Sequence, residues 1–180
     1  MEGILAISGS LKRGSVNSAA LQAAAAAAAW DGIVVSIDDS VRALPHFDPD
    51  LEAEPPRSVL RFRAACEDAA GVLLAVPEYA FGIPGAFKNA LDWTVGAGSL
   101  YRKPVAVLSV APRGRGARVR EALEAVLTAL DADVTYHSVP VASRDRDEHG
   151  EIADGTVVDE LHTVVTELAE RAWLASRSTP

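Results

Sequence analysis

Two absences limit what this chain can be. The sequence has a single cysteine, Cys66, and it lacks the run of about eighteen or more apolar residues that a transmembrane helix needs. A lone cysteine can form neither an intrachain disulfide nor a cysteine-based zinc site. The first residues also lack the basic segment and the small-residue cleavage site of a signal peptide, so a cytoplasmic protein with no membrane partner is expected.

Histidine is scarce as well, and the four histidines do not stand at metal-ligand spacing: His46, His137, His149 and His162. His149 lies in an acidic segment, for which a hydrated loop is the favoured interpretation. No metal site is therefore predicted.

Positive charge is in deficit. The chain has 17 Lys and Arg against 25 Asp and Glu, and its formal net charge is −8. Nucleic-acid-binding proteins usually carry a basic excess or a basic face, so no nucleic-acid partner is expected. One Gly-rich stretch departs from this trend, with four arginines at Arg113, Arg115, Arg118 and Arg120. A small anionic ligand remains possible there.

What the sequence does have is a regular alternation of apolar runs and helical patterns. Predicted strands cover residues 3–8, 33–37, 71–76, 104–109 and 134–139, and predicted helices occupy about 17–30, 59–69, 84–93, 119–130 and 157–168. Five strands that alternate with five helices indicate an α/β sandwich of three layers, in which a parallel sheet has helices on both faces. The length fits one domain, 1–180, with an ordered core of about 3–174.

The apolar character of the first, third and fourth strands predicts that both of their faces are buried. In open parallel sheets, ligands bind beyond the carboxyl ends of the strands, where the strand order reverses. The loops after these three strands are therefore the candidate ligand loops.

The first of these loops, residues 8–17, has the chemistry of a phosphate site. Gly9 and Gly14 permit tight turns, hydroxyls and basic side chains surround them, and the following helix presents its N-terminus. It is not a Walker A loop, because Ser15 and Val16 stand where that motif requires Lys and Ser or Thr. A polar turn with Asn17 as the helix cap explains the same residues equally well.

The second loop, residues 77–93, contains two prolines and two glycines directly after the third strand. Such a rigid segment leaves backbone N–H and C=O groups free for a flat heterocycle, such as the isoalloxazine ring of a flavin. Tyr79 and Phe81 could wall that ring. The alternative is a buried turn with ordinary aromatic packing.

Together, the two loops resemble those of the NADPH-dependent FMN reductase family of flavodoxin-like proteins. The family's first loop, Gly-Ser-x-Arg-x-x-Ser-x-Asn, is matched here from Gly9 to Asn17, with Lys12 in place of Arg. The second, Pro-Glu-Tyr-Asn-x-(Ser/Gly)-x-Pro-Gly-x-(Leu/Phe)-Lys-Asn-Ala-(Ile/Leu)-Asp-Trp, matches at every defined position except Ala80. The family's Asn at that position could hydrogen-bond the edge of the flavin ring.

The resemblance implies a flavodoxin-like fold with bound FMN. Its phosphate would be held by Ser10, Lys12, Ser15, Val16 and Asn17. Its isoalloxazine would be lined, largely by backbone atoms, by Pro77, Glu78, Tyr79, Ala80, Phe81 and Gly82, with Ser109 of the third loop at its edge. Residues 88–93 would be structural, and the third loop departs most from the family's pattern.

The implied activity is hydride transfer from NADPH or NADH to FMN and onward to a small acceptor, such as a flavin or a quinone. Because the cofactor carries this chemistry, no catalytic side chain is predicted. Arg113 and Arg115 would bind the 2′-phosphate of NADPH, or else form a solvated basic loop. Two other interpretations stay open: a non-catalytic flavin-binding module, and a hydrolase that uses only the phosphate loop.

The resemblance also implies a homodimer or homotetramer. The apolar and aromatic residues Phe87, Leu91 and Trp93 stand beside the second loop and suit a buried contact between protomers.

Overall fold

The structure, a computed structural model, describes residues 3–178 and contains a five-stranded parallel sheet. The strands are β1 (Ile4–Ser8), β2 (Val35–Asp38), β3 (Gly71–Ala75), β4 (Pro104–Ser109) and β5 (Asp133–Ser138). Their order is β2-β1-β3-β4-β5, and each neighbouring pair is parallel. This is the strand order of flavodoxin-like sheets, which confirms the predicted fold class. The order reverses between β1 and β3.

Five helices cover the sheet: α1 (Val16–Ala28), α2 (Arg57–Asp68), α3 (Gly85–Val95), α4 (Ala117–Ala129) and α5 (Gly155–Ser178). Short 3₁₀ segments lie at Ala29–Asp31, Ser40–Ala43, Pro49–Leu51 and Ser143–Asp145. One hydrophobic cluster joins α1 and α5 to one face of the sheet, and a second joins α2, α3 and α4 to the other. Successive residues of a strand point to opposite faces, so Ile4 belongs to the first cluster and Leu5 to the second.

The central strands are buried on both faces, as their apolar sequences predicted. All five residues of β3 are buried, whereas β2 and β5 form the edges of the sheet and are half-buried or exposed. On α1, Ala20, Ala24 and Ala28 have no exposed surface, and the helix packs against the sheet and against α5. Because alanine is small, the backbone of α1 can lie close to both. Alanine therefore serves here both as a helix former and as a small packing residue.

Several predicted boundaries differ from the structure. The N-cap of α1 is Ser15, not Asn17, since the Ser15 hydroxyl accepts from the backbone N–H of Ser18. β2 begins two residues later than expected, because the Ile33 N–H donates to Ala28 O at 3.1 Å and ends the preceding helical segment instead.

The helix at the C-terminal end is longer than expected. The last helix continues to Ser178, beyond the expected core limit at residue 174. Residues 1, 2, 179 and 180, which the sequence assigned to the same domain, lie outside the described residues. Within 3–178, no helix combines the length and the apolar character needed to cross a bilayer.

Residues 88–93, at the end of the second loop's motif, have the structural role expected for them. Asn89 on α3 accepts from Phe47 N–H at 2.7 Å and donates to Pro45 O, and Trp93 also donates to Pro45 O at 2.9 Å. These bonds attach the Pro-rich connection between β2 and α2 to α3. They fix the helix that follows the second ligand loop.

A buried arginine reinforces this attachment. Arg63 on α2 is 7% exposed; its Nε donates to Trp93 O at 2.5 Å, and its Nη2 lies 2.9 Å from both Glu52 carboxylate oxygens. The guanidinium also lies 5.6 Å from the centroid of the Trp93 ring. Glu52 is thus the anion that neutralises a nearly buried cation.

We expect Glu52→Gln to lower the free energy of unfolding by about 1–3 kcal/mol, because it leaves the Arg63 charge without its counter-ion. Urea unfolding measures the change. The matched control is Glu121→Gln, whose partner Arg118 and own side chain are both about two-thirds exposed; it should cost less than about 0.5 kcal/mol. Equal losses in the two variants would contradict this account of the buried pair.

Candidate functional site

A cleft of about 340 Å³ opens beyond the carboxyl ends of the strands. Its lining comes from the N-terminus of α1 and from the segments that follow β3, β4 and β5: residues 16–17, 76–78, 110–112, 115–116, 141–143 and 146. Small-molecule sites usually fall between about 300 and 1,000 Å³. The cleft therefore has the size and the topological position of a ligand site.

The first loop is shaped by its own serines. Ser15 Oγ accepts from Ser18 N–H at 3.0 Å and contacts Ser18 Oγ at 2.9 Å, and Ser10 Oγ accepts from Lys12 N–H at 3.3 Å. Gly14 adopts a positive φ of +61° where the loop turns into α1. Two of the hydroxyls predicted to bind phosphate thus also hold the loop in place.

The first and second loops touch at Gly9. Its N–H donates to Ala75 O at 2.8 Å, and a Cβ at this position would lie 2.9 Å from Val76 Cγ1 and 3.2 Å from Val76 Cα. Beside this contact, the Ser10 and Tyr79 hydroxyls are 3.4 Å apart. Glycine lets the first loop pack directly on the start of the second. Of the ligand residues predicted in these two loops, Val16, Asn17, Pro77 and Glu78 line the cleft, whereas Ser10, Lys12, Ser15 and residues 79–82 do not.

The cleft contains a polar side chain, that of Asn17, without a hydrogen-bond partner among the residues that the structure describes. It is only 4% exposed and lines the cleft, and its side-chain amide has no hydrogen-bond partner among residues 3–178. No side-chain N or O atom of the described residues is both fully buried and unpaired, so the polar atoms of this amide are accessible from the cleft. An unpaired amide that opens into a cleft can bind a polar group of a ligand.

The second loop contains a tight turn with unusual backbone angles. Tyr79 and Gly82 exchange both N–H···O bonds, at 3.1 and 3.0 Å, while Ala80 and Phe81 have φ of +48° and +62°. Two consecutive positive φ values define a type I′ turn, which favours Asn or Gly. The Asn that the family has at position 80 thus has a backbone explanation, separate from the ring contact expected from the sequence.

The tip of this turn faces solvent. Tyr79 is 51% exposed and Phe81 80% exposed, so the alternative of ordinary buried aromatic packing is wrong. Within the described chain, the backbone N–H and C=O groups of Ala80 and Phe81 make no hydrogen bond. They are free for a planar ligand with donors and acceptors along its edge.

The side chain of Glu78 is hydrogen-bonded to another element of the fold. Its Oε2 accepts from the backbone N–H groups of Arg118 and Val119, at 3.1 and 3.2 Å, and so caps the N-terminus of α4. A carboxylate is favourable at this position because the helix end carries partial positive charge. The side chain thereby ties the second loop to the third.

The three residues that the sequence placed together in the third loop do not all line the cleft. Arg115 lines the cleft. Ser109 does not line the cleft, but it lines a neighbouring cavity of about 300 Å³ that also includes Arg115. Arg113 lines a depression of about 560 Å³ along β5 that also includes Pro140. The expectation that Ser109 and both arginines face one ligand therefore holds, at this cleft, only for Arg115.

Sequence reasoning missed Arg146. It lies between β5 and α5, in a segment interpreted as a hydrated acidic loop, yet it lines the cleft and its Nη2 donates to Gly14 O at 3.1 Å. The two residues are 132 positions apart, and no local pattern indicates their contact.

The prediction that Phe87, Leu91 and Trp93 form a contact between protomers is wrong. Phe87, Leu91 and Trp93 are 1%, 2% and 0% exposed within a single chain, where they belong to its core. The assembly itself stays a prediction.

Cys66 is buried and does not line the cleft. Burial, and secondarily the charge of Asp38, raises the pKa of Cys66 to about 12. At neutral pH the thiol is therefore protonated, and thiolate chemistry is not available to it.

Comparison with known proteins agrees with this geometry. Residues 3–145 match the NADPH-dependent FMN reductase family. An NAD(P)H-dependent FMN reductase of Pseudomonas aeruginosa is 37% identical over 132 residues, which cover 71% of this chain and 70% of that protein. A 2-hydroxy-1,4-benzoquinone reductase of a Burkholderia species is 30% identical, with 97% of each chain covered.

A solved structure is similar over nearly the whole chain. It is FerB, a flavoenzyme NAD(P)H:(acceptor) oxidoreductase of Paracoccus denitrificans, with a TM-score of 0.76 and 27% identity. The alignment covers 96% of this chain and 97% of FerB. The chain therefore belongs to the NADPH-dependent FMN reductase family, and it is an oxidoreductase with a flavodoxin-like fold.

Proposed function

We propose that this protein binds FMN in the cleft and uses NADPH or NADH to reduce a small acceptor of the quinone or flavin class. Bound FMN would supply the redox chemistry, as it accepts a hydride from the nicotinamide and passes the electrons on. Family membership supports the reaction class, and the names of the two relatives, an FMN reductase and a benzoquinone reductase, support the acceptor class.

The single observation that carries the proposal is the Asn17 amide. It is almost buried, unpaired within residues 3–178 and open to the cleft, at the N-terminus of a helix. The backbone N–H groups of Val16 and Asn17 are also without a partner in the described chain. A phosphate group satisfies such donors, and helix N-termini favour anions.

The phosphate of FMN would lie at the first loop, on Asn17 and the N–H groups around it, with Lys12 adding positive charge. The hydroxyls of Ser10 and Ser15 keep that loop in shape. The ring would lie against residues 77–82, where the backbone groups of the turn are free. These donors and acceptors match a ligand with an anionic end and a flat, polar-edged ring.

In this reaction, the side chains bind and orient rather than transfer protons. Among the described residues that line the cleft, Glu78 carries the one carboxylate. This carboxylate already accepts two hydrogen bonds from the N-terminus of α4. Hydride transfer needs no protein base, because the cofactor carries the chemistry. The protein's contribution is therefore the close approach of two reactants in the right orientation.

A homodimer and a cytoplasmic location are further parts of the proposal. The exposed Tyr79 and Phe81 could contact a second protomer at the edge of the site, and a two-fold dimer is the commonest closed assembly. Light scattering of the active protein measures this directly; full activity in a monomer would argue against it.

The purified protein should show the visible absorption of a flavin, and NADPH added under nitrogen should bleach it. Addition of a quinone or free FMN should restore the absorption, with catalytic loss of NADPH. A flavin spectrum without NAD(P)H turnover would instead indicate a non-catalytic flavin-binding module. Failure to take up added FMN would reject the proposal.

Replacement of Ala80 tests the turn. An L-residue with a left-handed backbone costs roughly 1–2 kcal/mol, which Gly avoids and Asn reduces, so both Ala80→Gly and Ala80→Asn should tighten FMN by up to about 10-fold. Fluorescence quenching of apo-protein titrated with FMN gives the dissociation constants. Tightening by Asn alone would show instead that its side chain bonds the ring.

The matched control for Ala80 is Asp131→Gly. Asp131 also has a positive φ, +51°, but it lies just before β5. It is therefore at the amino-terminal ends of the strands, whereas the cleft lies beyond their carboxyl ends. This variant should leave the FMN dissociation constant unchanged. An equal gain there would mean that general stabilisation, rather than the shape of the turn, improves binding.

Nicotinamide preference tests the third loop. Because Arg115 lines the cleft and Arg113 does not, Arg115→Ala should raise KM for NADPH by about 10-fold, the loss of one charged hydrogen bond, with little change for NADH. Arg113→Ala removes the same charge two positions away and should change neither constant. Equal effects of Arg115→Ala on NADPH and NADH would show that this residue does not bind the 2′-phosphate.

A further inference from the structure

Arg146 is held beside the first loop by two hydrogen bonds. Its Nε donates to Gly150 O at 2.7 Å within its own loop, and its Nη2 donates to Gly14 O at 3.1 Å. Gly14 immediately precedes Ser15, the N-cap of α1. The guanidinium is thus fixed at the start of the helix whose first turn carries Asn17.

The acidic loop is built around this arginine. Gly150 has φ of +82°, and a Cβ there would lie 2.6 Å from Arg146 Nη2. Glycine at this position permits the backbone angle, and it places no Cβ against the end of the Arg146 side chain. Such a fixed side chain loses less conformational entropy when a ligand binds than a free surface arginine does.

The charge of Arg146 is not neutralised by the protein. It makes no ion pair within residues 3–178, although three acidic residues stand within two positions of it. Two of these have other partners: Asp145 accepts from Ala142 N–H and pairs with Arg144, and Asp147 accepts from the N–H groups of His149 and Glu151. The two known bonds of Arg146 use two of its five N–H donors, so three remain.

The N-termini of α1, α4 and α5 differ in the side-chain groups that accept hydrogen bonds from their free N–H groups. The N-terminus of α4 has the carboxylate of Glu78, and that of α5 has the carboxylate of Asp154, which accepts from Thr156 and Val157. The N-terminus of α1 has only the neutral hydroxyl of Ser15. Beside it lie the guanidinium of Arg146, which has no ion pair within residues 3–178, and the amide of Asn17, which has no hydrogen-bond partner there; both residues line the same cleft.

We infer that Arg146 binds, together with Asn17, the phosphate monoester of the cofactor at the N-terminus of α1. The anion would therefore be shared between the first loop and the β5–α5 loop, rather than held by the first loop alone. Arginine suits this task because its planar donors match two phosphate oxygens at once. The identity of the phosphate as that of FMN rests on the proposed function.

The test compares FMN with riboflavin, which has the same ring but no phosphate. In Arg146→Ala, the dissociation constant for FMN should rise by about 10- to 100-fold, as expected for a charged hydrogen bond, while that for riboflavin should stay within about twofold. Unchanged riboflavin binding also shows that the variant is folded. Arg146→Lys, which keeps the charge but not the paired donors, should lie between alanine and the wild type.

The matched control is Arg144→Ala. Arg144 belongs to the same loop and carries the same charge, but its side chain is 89% exposed and does not line the cleft. It should leave the ratio of the FMN and riboflavin dissociation constants unchanged. An equal loss of selectivity in Arg144→Ala would overturn the inference, because it would assign the effect to general charge.

Other outcomes also decide the matter. Equal weakening of FMN and riboflavin by Arg146→Ala would mean that Arg146 only holds the two loops together, and the inference would fail while the proposed function stands. If Arg146→Ala instead raised KM for NADPH and left the FMN dissociation constant unchanged, Arg146 would bind a phosphate of NADPH and not that of FMN. This result would also overturn the inference.

If the wild type binds neither flavin, the proposed function fails, and calorimetry with inorganic phosphate then tests the anion site by itself. Loss of phosphate binding in Arg146→Ala but not in Arg144→Ala would support it. Equal binding by wild type and both variants, or none by wild type, would reject it.

Discussion

The close approach of two loops at Gly9 is the constraint on which the candidate site depends. The β1 and β3 strands are neighbours in the sheet, but their connections leave it in opposite directions along the strand order, so their loops meet only where the order reverses. Because Gly9 has no side chain, the first loop packs directly on Val76 and Pro77. The N-terminus of α1 and residues 76–78, which lead into the turn at 79–82, consequently border one cleft. A Cβ at Gly9 would force Val76 and Pro77 to shift.

Charge in this acidic protein is distributed to favour an anion at one helix end. Carboxylates of the chain cap α4 and α5, whereas α1 has a hydroxyl cap and unpaired donors around it. Arg115 and Arg146 line the same cleft, and its one carboxylate, on Glu78, is engaged by α4. The net negative charge of the chain therefore does not extend into the site, and the local donors determine what can bind.

The sequence predicted the parts of the fold whose signals are local or periodic. β3 and β4 are uninterrupted apolar runs because both faces are buried, and the long loop motif locates α3 and its anchors Asn89 and Trp93. The sequence did not predict features that depend on contacts between residues far apart in the chain. Arg146 meets Gly14 across 132 residues, and Arg113 and Arg115 diverge because Gly114 and Gly116 both turn the backbone with positive φ. The left-handed angle at Ala80 is likewise imposed by the turn and not by the residue, since alanine carries no signal for it.

The central claim is that the unpaired donors at the start of α1 form the phosphate end of an FMN site whose ring end is the turn at 79–82. A crystal structure of the protein with FMN tests it most directly. The account predicts a phosphate oxygen within about 3.2 Å of the Asn17 amide, and the flavin ring against the backbone of Ala80 and Phe81. FMN bound elsewhere, or bound with Asn17 still unpaired, would contradict it.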